Sequence, residues 1–352
     1  MEVYWHIIIA VIFGVFFILA GYDYGTGIIH LFFAKADKDK EVIANSSGSL
    51  WGFKAIWMLA GAGLMYLVFP LLVSSSFKGF YLFLIVVVVL VLFRALGLKL
   101  RNNFNSEKQK EVWYKAFGLS SLLLAFFFGV SLGNIIRGVN LGGIENGIFT
   151  LEKNYFHLPF FDASFSPLTT HPGLLDWFTI LIGVISVIAL SIHGANWIIL
   201  KTNSSINTHL KTVVLRLNIL LLLFTIFAVI SWLNINPDAL NNFIDKPFFG
   251  FFPALYFLAI FGMFYIKKLK KDVYGFLFST LIVTAGIATT LASIFPVVLP
   301  STNSLNDSLT IYNTFGKENS LPTFLSWVVI VVVIVLVYMI IKKRIVSGKI
   351  AR

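Results

Sequence analysis

Residues 20–30 read AGYDYGTGIIH and place one carboxylate, Asp23, inside an apolar run that begins at Tyr4. No Lys or Arg occurs in this run before Lys35, so it has the composition of a lipid-soluble helix. An acid at bilayer depth costs about 2.5–3.5 kcal/mol on insertion scales, and it therefore usually faces a protein interior. Three glycines lie close to this acid, namely Gly21, Gly25 and Gly27. Their spacing would let the backbone of a neighbouring helix come close. We therefore expect the other helices to surround this stretch.

The composition is that of a polytopic membrane protein. Of the 352 residues, 58% are hydrophobic and 12% are charged, whereas a soluble domain has about 45–50% apolar and about 25% charged residues. The apolar runs are about 17 to 30 residues long without alternation, which predicts helices rather than a membrane β-barrel. The absence of cysteine excludes disulfides and thiolate metal sites. No basic residue precedes the first run, so we expect a retained helix rather than a cleaved signal peptide.

The apolar runs predict an all-α integral membrane protein with nine transmembrane helices. Their predicted residues are 4–33, 55–73, 80–98, 116–136, 174–200, 217–233, 248–266, 274–298 and 323–341. The first of these is long enough to tilt or to extend past the membrane face.

The basic residues predict the orientation. Most of them fall in the links after the first, third, fifth and seventh spans and at the C-terminus, in segments 34–54, 94–115, 201–216, 267–271 and 342–352. The positive-inside rule then puts the N-terminus outside and the C-terminus in the cytoplasm. This placement also accounts for the net charge of +11 through topology and anionic lipid, rather than through nucleic acid.

The order of the spans suggests an internal repeat. The first and fifth spans run in the same direction, and near the inner end they carry Asp23–Tyr24–Gly25 and Ile192–His193–Gly194. This predicts two parallel four-helix bundles and one peripheral helix. The predicted parts are a first bundle at 1–139, an outer loop at 140–172, a second bundle at 173–298, and an outer loop with the ninth helix at 299–352.

Few polar groups lie within the predicted spans, and they are Asp23, His30, Lys54, Arg94, Asn134, Asp176 and His193. Asp23, Arg94 and His193 could carry protons or pair with one another. Lys54 and Arg94 lie about a turn from the cytoplasmic edge, so we expect them to snorkel to the interface. Asp176 is expected at the outer interface. The short side chain of Asp23 cannot snorkel, so we expect a buried, partnered acid with a structural or a proton-carrying role.

The histidines give no clear metal site. Of the six histidines, no two share a helix at a spacing of three or four residues. Haem ligation between helices, with Met58, Met65 or Met263 as a second ligand, stays open. A hydrogen-bonded buried histidine is the favoured reading for His193. No phosphate-binding loop, nucleophile triad or dinucleotide fingerprint occurs.

Several short motifs occur in order along nearly the whole chain. They are AGYDYGTG at 20–27, the pair Trp51 and Trp57, GFYLFL at 79–84, FRALGLKLR at 93–101, GNIIRG at 133–138, HGA at 193–195 and FPVVLPSTNSLNDSLTIYN at 295–313. Together they resemble subunit II of the cytochrome bd quinol oxidases. The family's acid in the first helix falls on Asp23, its tryptophan opening the second span on Trp51, and its arginine closing the third span on Arg94.

The resemblance implies a heterodimer with a homologous-looking subunit I in the bacterial cytoplasmic (inner) membrane. That complex oxidises quinol and reduces dioxygen to water in the respiratory chain. Haem b and haem d are expected on subunit I, not ligated by this chain. Subunit II is expected to support subunit I and to assist proton supply, and in some members it holds a quinone or a lipid. Asp23 is then the proton-pathway candidate, and Trp51, Arg94, Asn134 and His193 are structural or interface candidates.

The sequence departs from the family's pattern near the acid. The family usually reads W-D-G-N-x-V-W at the start of the second span, whereas this chain reads WGFKAIW, with Gly52 at the acid's place and Lys54 at the amide's. A further acid after Arg94 is replaced by Lys99. We therefore expect proton supply to run mainly through subunit I, with Asp23 the one retained acid.

Two other functions fit a polytopic membrane protein. A proton-coupled secondary transporter would show helix breaks at matching midplane positions in two halves. Pro70 and Pro296 lie near predicted span ends instead, which favours the oxidase subunit. A non-catalytic membrane scaffold overlaps with the oxidase reading, because a supporting subunit need hold no cofactor.

Overall fold

The computed structural model describes residues 1–34, 36–47, 51–101, 103–104, 106–145, 148–151, 154–203, 205–303 and 308–316. Its helices are α1 Glu2–Phe33, α2 Asp37–Ser46, α3 Trp51–Val68, α4 Pro70–Gly79, α5 Tyr81–Leu100, α6 Glu107–Arg137, α7 Trp177–Lys201, α8 Ile206–Ile235, α9 Asn241–Asp245, α10 Phe251–Met263 and α11 Asp272–Ile294. Two small antiparallel hairpins pair β1 Gly143–Glu145 with β2 Ile148–Leu151, and β3 Val297–Leu299 with β4 Leu309–Thr310.

The prediction of an all-α membrane protein is confirmed. Within the described ranges, six helices are long and apolar enough to cross a membrane, or eight when each of two bent helix pairs counts as one span. The six are α1, α5, α6, α7, α8 and α11. The predicted ninth span, 323–341, lies outside the described residues.

One predicted span is broken rather than continuous. The predicted span 55–73 ends as α3 at Val68, and α4 leaves it at an angle of 114°. Pro70 opens α4 and disfavours helical geometry at Phe69, whose φ and ψ are −126° and 62°. The predicted span 248–266 contains no such break, because the helical segment Pro247–Met263 is continuous. This segment meets the preceding one, Pro237–Asp245, at 110°, so the bend lies just before the predicted start.

Helix α1 is the centre of the helix packing. It contacts α3, α6, α7 and α11, and α6 and α7 also pack against each other. Beyond this centre, α5 packs on α6, α8 packs on α7, and α10 packs on α11. The expectation that the other helices surround the 20–30 stretch is confirmed, since Ala20 to His30 are all buried.

Helices α1 and α7 cross backbone to backbone at two glycines. A Cβ added to Gly25 would lie 2.7 Å from the Gly194 nitrogen and 2.8 Å from its Cα. Such distances are far inside van der Waals contact, so neither position has room for a side chain. The predicted close approach at the α1 glycines is thereby confirmed, and it brings the two polar stretches of the presumed repeat into direct contact.

The C-terminal end of α6 and the N-terminal end of α7 are joined by a buried ion pair. Arg137 pairs with Asp176, and it also donates to the Gly173 carbonyl at 3.0 Å and to the Asn134 amide oxygen at 2.6 Å. Asp176 caps α7 by accepting hydrogen bonds from the Phe178 and Thr179 nitrogens. Asp176 is only 1% exposed, so it is a buried cap at the start of α7, and its position at the outer interface stays a prediction. The role of Asn134 is to hold this connection.

Replacing Gly25 with Ala is expected to destabilise the protein by about 1–3 kcal/mol or more, because the new methyl group meets rigid backbone of α7. Gly14 is the matched control on the same helix, since a Cβ there meets nothing within 4 Å. Gly14→Ala is expected to be neutral or slightly stabilising. Thermal unfolding of the purified protein measures both effects. Equal melting temperatures for the two variants would contradict the close crossing.

Candidate functional site

The candidate site is a buried ion cluster around Asp23. The Asp23 side chain is fully buried, at 0% exposure, on helix α1, which contacts α3 and α6. Its backbone carbonyl accepts hydrogen bonds from the Thr26 hydroxyl at 2.7 Å and from Arg94 Nη2 at 2.9 Å. Arg94 therefore binds both the backbone carbonyl and the carboxylate of Asp23.

Arg94 reaches the cluster from α5. Its Nη1 lies 2.9 Å from Asp23 Oδ2, and its Nε donates to the Ser121 hydroxyl of α6 at 2.9 Å. The guanidinium carbon lies 5.1 Å from the Tyr24 ring centroid and 5.0 Å from that of Phe117, at cation–π distance. Helix α5 can approach α6 this closely because Gly97 lies against the α6 backbone at Phe117. All three nitrogens of the Arg94 guanidinium therefore have partners within the protein.

Lys54 reaches the same carboxylate from α3. Its Nζ pairs with Asp23 Oδ2, the oxygen that also meets Arg94. The other carboxylate oxygen, Oδ1, accepts a hydrogen bond of 2.5 Å from the Ser47 hydroxyl. Ser47 is in turn 3.2 Å from Arg94 Nη2. Four segments of the chain therefore meet at one carboxylate.

The predicted snorkelling of Lys54 and Arg94 is wrong. Both side chains are buried, at 7% and 3% exposure, and both point to Asp23. A buried carboxylate without a partner would cost several kcal/mol. Lys54 and Arg94 offset that cost when they lie beside it, which draws both side chains into the protein. The pairing also supplies the partner that the sequence predicts for Asp23.

The segment that presents Ser47 is anchored to α7. Trp197 donates its indole N–H to the Ser46 carbonyl at 3.0 Å, and its ring stacks on Tyr22 with centroids 4.1 Å apart. Helix α2 ends one residue before Ser47, and the Ser47 nitrogen donates to the Ala44 carbonyl. The Ser47 hydroxyl is therefore placed by contacts that come from both halves of the chain.

His193 is not part of the cluster. Its Nδ1 lies 2.9 Å from the Ser279 hydroxyl and its Nε2 lies 3.1 Å from the Ile18 carbonyl oxygen, while its ring stacks on Phe276. Both ring nitrogens therefore have hydrogen-bond partners. This agrees with the hydrogen-bonded buried histidine that the sequence favours. Its contacts connect α1, α7 and α11.

The remaining predicted residues lie apart from Asp23. Asn134 belongs to the connection between α6 and α7. Trp51 is the first residue of α3, and its side chain lies outside the described residues. Lys99 is exposed near the end of α5, so it does not enter the cluster. Sequence reasoning missed Ser47 and Ser121, because serines in apolar helices and turns carry no distinctive signal.

A second feature that the sequence did not predict is an apolar cavity of about 230 Å³. It lies between α6, α7, α8, α10 and α11 and touches α1 at Phe17 and Gly21. Its polar groups are mainly hydroxyls, including Thr225 and Tyr256, whose oxygens are 3.0 Å apart. The cavity walls contain no His, Met or Cys, so they lack the usual axial ligands of a haem.

No group of three or more His, Asp or Glu side chains that could hold a metal ion occurs in the described part of the chain. Fold and site together define a polytopic helical membrane protein with a buried ion-pair network around Asp23 and an apolar cavity between its helices.

The chain belongs to the cytochrome bd terminal oxidase subunit II family, whose sequence profile matches residues 1–345. The bd oxidases are quinol:oxygen oxidoreductases that carry haems, generally on subunit I, and this chain is a subunit II. The resemblance drawn from the short motifs is thereby confirmed, and the transporter and scaffold alternatives are not supported.

Individual relatives agree with this assignment. The chain is 26% identical to a probable cytochrome oxidase subunit 2 of Haemophilus influenzae, over 96% of this chain and 91% of that one. It is 24% identical to the cytochrome bd-I ubiquinol oxidase subunit 2 of Escherichia coli, over 95% and 91% of the two chains. A chain of the bd oxidase structure from Geobacillus thermodenitrificans has the same fold, with a TM-score of 0.71, 15% identity and 99% coverage of both chains.

Replacing Asp23 with Asn is expected to destabilise the protein by about 3–5 kcal/mol, because Lys54 and Arg94 then lie buried beside each other without an anion. Adding Lys54→Met to that variant removes one of the two cations and is expected to recover part of the loss. Thermal unfolding of the single and double variants measures this coupling. A double variant less stable than Asp23→Asn alone would show that the three charges do not form one network.

Proposed function

We propose that this chain pairs with a haem-bearing subunit I in a heterodimer of the bacterial cytoplasmic (inner) membrane. Subunit I would hold haem b and haem d, and the complex would oxidise quinol and reduce dioxygen to water. The family match over residues 1–345 carries this proposal. The cavity walls without His, Met or Cys support the placement of the haems on the partner.

We further propose nine spans arranged as two four-helix bundles, 1–139 and 173–298, and one peripheral helix, with the N-terminus outside. The crossing of α1 and α7 at Gly25 and Gly194 supports the bundle arrangement, because each helix is the first of its half. The distribution of Lys and Arg supports the orientation. Anionic lipid at the cytoplasmic face is the expected surface partner of those basic links.

The Asp23 cluster is the proposed place where this chain assists proton supply. It is the one charged group that the described residues bring to the contact of α1, α3, α5 and α6. With Gly52 and Lys99 at the places of two family acids, this assistance is secondary to a route through subunit I.

The test of the assignment is purification of the chain together with its membrane partner. A reduced-minus-oxidised spectrum is expected to show haem b and haem d, and the complex is expected to consume oxygen when supplied with a quinol. In the same complex, Asp23→Asn is expected to lower turnover. Isolation of the chain without a haem-bearing partner would refute the pairing. Unchanged turnover and haem content in Asp23→Asn would show that Asp23 has no role in the complex.

The apolar cavity is the proposed site for a bound quinone or lipid. Its walls suit an isoprenoid or acyl chain, and the hydroxyls of Thr225 and Tyr256 offer hydrogen bonds to a polar head. Occupancy by either molecule would fill the space between five helices and hold them at their spacing.

Ala228→Trp is expected to fill the cavity and to displace the bound molecule, because Ala228 is a buried wall residue on α8. Phe227→Trp is the matched control, since Phe227 is the neighbouring residue, is 55% exposed and does not line the cavity. Solvent extraction and mass spectrometry of the purified complex measure the quinone and lipid bound per protein. Equal amounts in both variants would place the bound molecule elsewhere.

A further inference from the structure

We propose that Lys54 is the residue that binds and releases a proton in the Asp23 cluster, while Asp23 stays ionised. This inference rests on the proposed assistance to proton supply and names the group that performs it.

The geometry suits a permanently ionised Asp23. Lys54 and Arg94 both meet Oδ2, and the Ser47 hydroxyl donates to Oδ1 at 2.5 Å. The Ser47 hydroxyl could bond either form of the acid, but two cations beside one oxygen are compatible only with a carboxylate. The two ion pairs therefore favour the charged acid.

The net charge of the cluster indicates which group exchanges a proton. With all three side chains ionised, the described cluster holds one anion and two cations, and all three groups are buried. A proton added to Asp23 would leave two buried positive charges without an anion. A proton lost from Lys54 leaves the neutral pair of Asp23 and Arg94. Uncompensated buried charge is costly, so the cluster exchanges between these last two states.

Arg94 cannot make this exchange, because a guanidinium stays protonated in proteins. The other titratable group facing Lys54 is Tyr24 of α1, whose ring centroid is 6.0 Å from Nζ. Helix α6 faces the cluster with Ser121 and Phe117, which are uncharged. Lys54 is also the one charged residue in the sequence of α3. It is therefore the one amine in the cluster that can alternate between charged and neutral forms.

The proposed step moves one proton and no electrons. An N–H bond of the Lys54 ammonium breaks as its proton passes to a water or carboxylate acceptor on the side of the partner subunit. The resulting amine then takes a proton from water at the cytoplasmic side, which re-forms the ammonium. Lys54 lies one helical turn from the start of α3, beside the basic link that is proposed to be cytoplasmic. Asp23 and Arg94 keep their charges and hold the lysine in place throughout.

The test compares Lys54→Arg with Lys54→Met in the complex purified with its partner. Arg keeps the charge but cannot release a proton, and Met keeps the chain length without a titratable group. Both variants are expected to lower quinol-driven oxygen consumption by the minor share that this chain supplies, because the main route through subunit I stays open. Both are expected to lose one ionisation from the pH profile of turnover. Lys108→Met, at an exposed site on α6, is the control that keeps wild-type turnover.

The melting temperatures of the Lys54 variants distinguish a proton-exchanging lysine from a structural one. Lys54→Met is expected to keep its haem content and melting temperature, because it leaves the neutral pair of Asp23 and Arg94. A purely structural lysine predicts the opposite pattern, with turnover retained in Lys54→Arg and stability lost in Lys54→Met. Wild-type turnover and an unchanged pH profile in Lys54→Arg would overturn the proposal.

An infrared measurement on the complex tests the inference by a readout other than turnover. Asp23 is expected to show no carbonyl stretch of a protonated carboxyl in difference spectra taken during turnover. A band of this kind that disappears in Asp23→Asn with Lys54→Met would make Asp23 the exchanging group and overturn the proposal. A wild-type complex without haem or quinol oxidation would instead refute the proposed function, so the two failures are distinguishable.

Discussion

The Asp23 carboxylate connects helices that otherwise offer one another little but apolar surface. In a bilayer, burial of apolar side chains does not by itself select a helix partner, because lipid tails are equally apolar. A buried ion pair does select a partner, since each charge is costly unless it finds its counterpart. Lys54 from α3 and Arg94 from α5 both satisfy this requirement at one oxygen of Asp23. The positions of α3 and α5 on α1 follow from it.

Close packing makes the ion cluster possible. At Gly25 and Gly194 the backbones of α1 and α7 touch, and at Gly97 the backbone of α6 lies against α5. Asp23 is fully buried among the helices brought together in this way, and its ion-pair partners come from the protein itself. On the side of α1 toward α7, His193 and Trp197 complete the same central packing. Small residues and charged residues therefore act together in this core.

The two buried ion-pair sites of the helix bundle differ in their charge balance. The pair of Arg137 and Asp176 caps α7 and joins it to α6, and all its hydrogen bonds go to fixed backbone or amide groups. That pair has one cation for one anion, so it has no charge to exchange. The Asp23 cluster has one cation more than it has anions. This difference separates a structural connection from a site that can take part in proton chemistry.

The sequence by itself determined the class of protein, the family, the burial of Asp23 and the close approach at the α1 glycines, because hydropathy, motif order and residue size are local properties. The break at Pro70 is also local, because it follows from the proline ring. The sequence predicted Lys54 and Arg94 at the membrane interface, since nothing within their own helices favours the burial of a long cation. Only the tertiary structure brought them to Asp23, because the partner that makes their burial favourable lies on another helix. The cavity beside Ala228 was likewise decided by how the helices meet.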